Sequence, residues 1–470
     1  MMEVVIGLEV HVELGTKTKI FCGCKKSFGL SPNSCVCPVC LGLPGSIPVL
    51  NKRAVDLAIT AGFCFNSEIA DDITFDRKNY FYPDLPKGYQ ITQRRNPLCK
   101  GGFVKLSDGK KIELDEVHLE EDAGKLVHGE DGLTLIDYNR AGIPLIEIVT
   151  KPVLSSGSEV VEFLQLVREK LIFAEVSECK MEQGQMRVDV NISVKFDGVQ
   201  SSRVEIKNMN SLKAIEKAID FEKERHLNMI ENGEEVVSET RGWNEETEET
   251  FSMRVKQNAF DYRYFPEPDI TPIEIDSKTI LRLQKKFPEA IETIRRTYAK
   301  LGVSENDIKV ITSSKDILDY FEESLDITNL PKETANWIVT DVLKFQNVFP
   351  QLALSEIVNP KDLGELIVMV SEEKLSRTTA KLILEELVSK GKKLANIIKE
   401  FDLKEDVLVD EIIELVGEII GELPNIKDDY LSDTEKIENF VIGRVMKITR
   451  GMAKIDDIKI VLRKMIDINS

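Results

Sequence analysis

Four stretches of the chain alternate apolar and polar residues so strictly that extended backbone is the simplest way to separate the two sets. In Gly7-Leu8-Glu9-Val10-His11-Val12-Glu13-Leu14 the apolar positions are Leu8, Val10, Val12 and Leu14, and the polar ones are Glu9, His11 and Glu13. A strand sends successive side chains to opposite faces, so one face feeds a core and the other carries two carboxylates and an imidazole. The arrangement returns at 117–122, where period two groups His118, Glu120 and Asp122 and leaves Glu121 pointing away or at a bulge. It returns again in Arg187, Asp189, Asn191 and Ser193 against Val188, Val190, Ile192 and Val194, and in Arg203-Val204-Glu205-Ile206-Lys207. Placed in one sheet, these strands present a field of carboxylates broken by Arg, Lys and His. Such crowding raises the pKa of each carboxylate unless a cation lies among them. Magnesium, with phosphate as its usual companion, is the natural counter-charge. One solvated strand would show the same alternation; the recurrence is what favours a site.

At 470 residues the chain can bury two or three separate cores. Its formal net charge of -19 argues against a general electrostatic grip on nucleic acid, so any RNA contact has to be local. No basic segment followed by an apolar run opens the chain, and no apolar run approaches the ~18 residues of a membrane span. A cytoplasmic location without membrane contact is expected. In that compartment a disulfide framework is out of place, yet Cys22, Cys24, Cys35, Cys37 and Cys40 fall in one short segment. Cys22-Gly23-Cys24 and Cys37-Pro38-Val39-Cys40 flank a turn-rich loop, the pattern of a small structural zinc site within 20–42. Cys35 competes with Cys37 for a place, although Cys37-x-x-Cys40 is the more usual knuckle spacing. Free thiols are the plain alternative, but four closely paired thiolates repel without a metal.

Residues 51–65, 158–169 and 211–232 read as helices, the last capped by Ser211. Residues 76–90 set Tyr80, Phe81, Tyr82 and Tyr89 beside Arg77, Lys78 and Lys87, on a backbone restrained by Pro83 and Pro86 and released at Gly88. A loop so shaped holds phosphates through its cations and stacks a base or walls a passage with its rings, unless it only packs on the sheet edge. From about Ile280 the pattern turns helical, with amphipathic spacing at 281–301, 333–345, 378–390, 407–422 and 439–450. Arg444, Lys447 and Arg450 recur at helical spacing in the last of these, and Lys454, Lys459, Arg463 and Lys464 follow. In an acidic chain that is where RNA phosphates can be held, the alternative being a solvated helix face.

Stretches 7–14, 37–45 (Cys-Pro-Val-Cys-Leu-Gly-Leu-Pro-Gly), 76–90, 118–125, 137–150, 205–211 and 262–269 resemble, in order and from end to end, the B subunit of the aspartyl/glutamyl-tRNA(Asn/Gln) amidotransferases. The resemblance implies an α+β chain. An N-terminal antiparallel-sheet cradle with a small zinc knuckle spans 1–280, an all-α helical domain 281–399, and a small all-α tail 400–470. It also implies a subunit of a glutamine-hydrolysing carbon–nitrogen ligase. With ATP and magnesium, such a subunit phosphorylates the side-chain carboxylate of Glu-tRNA(Gln) or Asp-tRNA(Asn). Ammonia from an amidase A subunit then displaces the phosphate. A small C subunit completes the heterotrimer, and the matching non-discriminating synthetase is a further candidate partner.

Carried onto this sequence, the resemblance makes Glu9, His11, Glu120 and Glu121 the candidate catalytic residues. Glu9, His11 and Glu120 become the magnesium-facing ligands with Glu121, Glu182 and Glu205 behind them, and His11 has a core or supporting histidine as its alternative. Arg77, Lys78 and Lys207 are the candidate nucleotide-phosphate ligands, by charge, and Cys22, Cys24, Cys37 and Cys40 hold zinc. Tyr80 and Tyr82 would border a dry ammonia passage. The basic helix with Arg444, Lys447 and Arg450 is similar to the family's tRNA-contacting tail. The turn after it departs from the family's frequent Gly-Lys-Ala-Asn-Pro, reading Gly451-Met452-Ala453-Lys454-Ile455. Two other readings compete. A zinc-containing RNA-binding scaffold without chemistry would have no use for clustered carboxylates. The archaeal paralogue acting on tRNA(Gln) carries an inserted domain that is not apparent here.

Overall fold

The structure, a computed structural model, describes residues 2–26, 28–129, 132–255, 262–287, 291–390, 394–400, 409–422, 426, 430, 433–449, 453 and 455–468. The chain divides into two units, Met1–Ile291 and Glu292–Ser470. In the first, β1 (Glu3–Glu13) runs through the middle of an eleven-stranded sheet. It is joined by β2 (Lys111–Glu121), β3 (Pro144–Thr150), β4 (Met186–Phe196), β5 (Val204–Lys207), β6 (Glu239–Asn244) and β7 (Glu249–Val255). Their spatial order is β7-β6-β5-β4-β1-β3-β2, with short strands beyond β2.

Among the described residues these strands pair antiparallel, as expected, except that β5 and β6 run parallel. The exception follows from connectivity. A helix lies between β5 and β6 and carries the chain back to the end at which β5 began, which is the crossover that parallel neighbours require.

Three helices cover the apolar face: α1 (Lys52–Cys64), α2 (Gly157–Phe173) and α3 (Leu212–Glu231), the last being that crossover. Each begins at a polar residue whose side chain accepts a free N–H of the first turn: Asn51 from Arg53, Ser156 from Glu159, Ser211 from Ala214. The second helix runs to Phe173, beyond the 169 expected from periodicity. Ile6, Leu8, Val10 and Val12 are buried in one core with Leu57, Ile59, Phe163, Leu164 and Ile215. On the other face of β1, Glu9 and His11 are half-buried.

One polar group lies inside the covered side. Glu222 of α3 is fully buried; it accepts from Arg225 and Thr250, and Arg241 Nε lies 3.0 Å away. His226 Nε2 is 3.2 Å from it, and the other ring nitrogen meets Ser201 Oγ at 2.9 Å. Burial pushes the Glu222 carboxyl up, but the nearby His226 and the hydrogen bonds from Arg225 and Thr250 win and pull it down to about 2. The network ties α3 to β6 and β7, the strands at the β5 side of the sheet.

The described residues of the second unit are helical, from Ile291–Lys300 to Ile455–Ile468. The stretch 281–301 proves to be two helices, Ser277–Lys286 and Ile291–Lys300. The stretch 333–345 is interrupted by a π turn at Ile338–Val342, where buried Asp341 is held by Lys381 Nζ at 2.8 Å and Arg377 Nη2 at 3.3 Å. Ile412, Val416, Val441, Val445, Ile458 and Leu462 form a core of their own near the end of the chain. Residues 407 and 408, Arg450 and Lys454 lie outside the described residues. No described helix is long and apolar enough to cross a membrane.

Phe163 is completely buried whereas Phe81 is 93% exposed. Phe163→Ala should therefore lower stability by about 3–5 kcal/mol in urea titration, and Phe81→Ala by less than about 0.5 kcal/mol. Glu222 has a folded pKa below its ordinary 4.5, so its contribution is full above that value and is lost as pH falls toward 2. Stability measured across that window should decline less steeply in Glu222→Gln than in wild type.

Candidate active site

Register builds the site. His118 of β2 stands opposite Glu147 of β3, Glu147 opposite His11 of β1, and His11 opposite Arg187 of β4. Four side chains from four strands thus form one row across the polar face. His11 Nε2 lies 3.4 Å from Glu120 Oε1 and 3.6 Å from Glu147 Oε2. His118 Nε2 lies 3.3 Å from the same Glu147 oxygen, and its Nδ1 is 3.2 Å from Glu116. One ligand atom from each of His11, Glu120 and Glu147 falls within 4.8 Å of the others. A second group with the same spacing comprises Glu9, Asp189 and Glu205. There Lys207 donates to Asp189 and approaches Glu205 at 3.0 Å, Asn191 donates to Glu9 at 3.2 Å, and Thr240 donates to Glu205 at 3.0 Å.

The electrostatics express crowding. Burial and then the neighbouring carboxylates hold Glu9 and Glu120 above the usual range, Glu147 acting on both. Burial also opposes ionisation of Glu147, but His11 and His118 on either side win and hold it well below that range. The histidines answer in kind. Burial pulls His11 down, yet Glu147 and Glu120 raise it to about 9. His118, with Glu147 and Glu116 beside it, rises against burial to about 10. Lys78 is held up by Glu120 against burial, and its Nζ lies 5.0 Å from the centre of the Tyr262 ring. Two carboxylates and an imidazole converging on one point of a face crowded with carboxylates suit a divalent cation such as magnesium. The donor set fits.

The other expected residues are placed as follows. Glu121 points through the sheet to the opposite side. It is held there by Lys87 Nζ at 2.5 Å and the Ile91 amide at 2.8 Å, apart from the Glu120 group. Glu182 sits on a short turn, Met181–Gln183, in the wall of a cavity of about 1090 Å³ that Glu13, Lys26, Arg140 and Arg187 also line. It is not in either carboxylate group. Arg77 is locked to Glu267 and Asp269 beneath the Tyr89 ring, 4.1 Å from its centroid, so its charge is already matched. Glu147, Asp189 and His118 belong to the two groups or support them but were not expected as ligands. Asp189 and His118 were visible on polar strand faces. Glu147 sat in an apolar run, with Leu145 and Val149 as its same-face neighbours, and only pairing with two histidine-bearing strands exposes its role.

The sulfur atoms of Cys22, Cys24, Cys37 and Cys40 form a third group within 4.8 Å, and Cys35 is not part of it. The Cys35 amide instead donates to Asn139 at 2.7 Å, while the Asn33 amide donates to Asp137 at 2.9 Å and the Tyr138 amide to Asn33 at 2.8 Å, which pins the loop. The Cys37 amide donates to Cys40 Sγ at 3.1 Å. A closed set of four sulfurs with a backbone donor suits a structural metal such as zinc. In the second unit, Arg444 is paired with Glu422 and Lys447 is exposed.

Residues 4–281 match the family described as the GatB/GatE catalytic domain, and residues 319–466 match the GatB domain. The chain belongs to the family of amidotransferase B subunits. The B subunit of the aspartyl/glutamyl-tRNA(Asn/Gln) amidotransferase of Thermoanaerobacter sp. (strain X514) is 44% identical over 457 residues, 96% of each chain. That of Clostridium tetani is 45% identical over 459 residues, again 96% of each, and that of Caldicellulosiruptor bescii is 43% identical over 476 residues, 99% of each. The first matched segment contains all three ligand groups.

Glu147→Gln should weaken manganese binding, read by electron paramagnetic resonance as a magnesium surrogate, by about tenfold or more. Glu121→Gln should leave it within about twofold, because its carboxylate lies on the other side of the sheet.

Proposed function

We propose that this chain is the carboxylate-activating subunit of a tRNA-dependent amidotransferase, acting on Glu-tRNA(Gln) and/or Asp-tRNA(Asn). The observation that carries the reading is the convergence of His11, Glu120 and Glu147 beside Arg187 and the large cavity at that end of the polar face. In this reading the γ-phosphoryl group of ATP passes to an oxygen of the substrate side-chain carboxylate and ADP leaves. Ammonia from the amidase A subunit attacks the activated carbonyl and phosphate departs, giving the amide.

Magnesium, when bound, neutralises the nucleotide phosphates and the substrate carboxylate, two anions that otherwise repel at the moment of attack. Glu120, Glu147 and His11 would hold it, with Glu9, Asp189 and Glu205 as a second acidic group on the same face. His118 orients Glu147 from the far side. Lys78, beside Glu120, supplies a fixed positive charge for the transferring phosphoryl oxygens. Tyr80 and Tyr262, whose rings meet edge to face at 5.7 Å, wall the approach to Lys78 and suit a passage that keeps ammonia from water. The cysteine group holds structural zinc. The reading divides the chain into a cradle at 1–280, a helical domain at 281–399 and a tRNA-contacting tail at 400–470 with Arg444, Lys447 and Arg450. It makes A and C subunits its cytoplasmic partners.

The test is ADP release by the complex of this chain with its A and C partners, given ATP, magnesium and either charged tRNA. Release should require the misacylated tRNA and collapse in His11→Ala and Glu120→Ala with zinc content unchanged. Release that survives both substitutions would move the chemistry elsewhere, and none with either tRNA would leave a scaffold.

A further inference from the structure

Lys19 is fully buried, which is rare for a lysine because an ammonium taken from water needs an anion in return. Its Nζ has two partners: the carbonyl of Tyr138 at 3.2 Å and Cys40 Sγ at 3.6 Å. Neither is a carboxylate, and no ion pair to a described carboxylate accompanies them. Glu121 lines the same small cavity, but Lys87 holds it at 2.5 Å. A carbonyl supplies a dipole and a neutral thiol supplies less. The group in contact with Lys19 that can carry a full negative charge is therefore the cysteine cluster.

The backbone fixes the lysine in that place. The Lys19 amide donates to Cys24 at 3.0 Å and the Ile20 amide to Gly142 at 2.9 Å, so this residue is clamped between the first cysteine pair and the 138–142 turn. Gly142 has φ +81°, and a Cβ there would come 3.6 Å from Lys19 Cδ and 3.7 Å from Cys40 Cβ. Its backbone borders the lysine stem where the stem passes the sulfur. Cys40 is buried, while Cys22, Cys24 and Cys37 are only half-buried. The ammonium thus meets the cluster on its inner side, where water screens least.

Four thiolates around one divalent ion leave a net charge of minus two. Solvent tempers that charge on the outer side; on the inner side Cys40 receives the Cys37 N–H at 3.1 Å, a dipole only, and the Lys19 ammonium is the full positive charge that faces it. We propose that Lys19 is a working part of the metal centre: its ammonium is the built-in counter-charge of a zinc tetrathiolate and holds Cys40 as the inner anchor of the ion. Lys19 is thus a positioning residue, acting on zinc through Cys40 without ligating it.

The test uses the full-length chain loaded with zinc and follows transfer of the ion to a chromogenic chelator at fixed pH. Lys19→Met keeps the stem and removes the charge, and zinc should leave about tenfold faster or more. Lys19→Arg keeps the charge and should stay within about threefold of wild type. Lys19→Gln can still donate to the Tyr138 carbonyl and should lose zinc as Lys19→Met does, which keeps the proposal testable if the methionine variant fails to fold. A double-mutant cycle gives a readout that packing alone would not move. Cys24→His removes one negative charge from the centre, and the penalty of Lys19→Met or Lys19→Gln should shrink in that background. Neutral variants that fold and release zinc at the wild-type rate would overturn the proposal. So would an arginine variant as leaky as the neutral ones, a penalty that does not change with Cys24→His, or a wild-type chain that takes up no zinc.

Discussion

Glu9, Glu120, Glu147, Asp189 and Glu205 repel one another, and what holds them on one face is the burial of the other. Ile6, Leu8, Val10 and Val12 alternate with Glu9 and His11 along β1, and three helices close over the apolar set. A slip of one residue between β1 and β3 would carry every apolar side chain to the polar side and separate His11 from Glu147. Hydrophobic burial therefore fixes the register, and the register imposes the electrostatic crowding. Among ligand-bearing groups, crowding that burial enforces is a means of making a strong cation site from weak donors.

Cations of the chain itself occupy the face in an ordered way. His11 and His118 flank Glu147, Lys207 bridges Asp189 and Glu205, and Arg187 reaches Asp122 at 3.0 Å. Each of these carboxylates thus has a partner of moderate strength, one that a divalent ion can displace at a proton's cost for His11. The cysteine cluster follows the same logic with softer donors. Its sulfurs converge from two turns, and Lys19 meets them from the interior.

Charges that look free in the sequence are often committed in the structure. Arg77 is matched by Glu267 and Asp269, and Lys87 by Glu121. In the terminal helices, Lys459 and Arg463 turn to the buried Glu438 at 3.4 and 2.8 Å, and Arg444 to Glu422. Counting cations along a helix therefore overstates what it offers to phosphates. Lys447, exposed and in the last turn of Thr434–Ile448, keeps the helical spacing and faces solvent.

Strand type, the two faces of β1, the helix starts at Asn51 and Ser211 and the paired cysteines were all legible in the sequence. Each rests on neighbours within a few residues: period two, a capping side chain, a Cys-x-x-Cys turn. Period two allowed Glu121 to point away from Glu120 but left a bulge open, so Glu121 stood among the catalytic candidates and only the packed sheet set it against Lys87 and the Ile91 amide. Tertiary structure alone decided that Glu147, hidden in an apolar run, stands between two histidines, and that Glu182 stays apart. It also decided that Lys19 lies buried against Cys40, whereas the preference for Cys37 over Cys35 was already carried by the Cys-x-x-Cys spacing and the cluster agrees with it. Those facts depend on which strand lies beside which and in what register, through contacts between residues more than a hundred positions apart in the case of Glu147 and His11. Local periodicity tells a side chain which face to take; only the packed sheet tells it whom it will meet there.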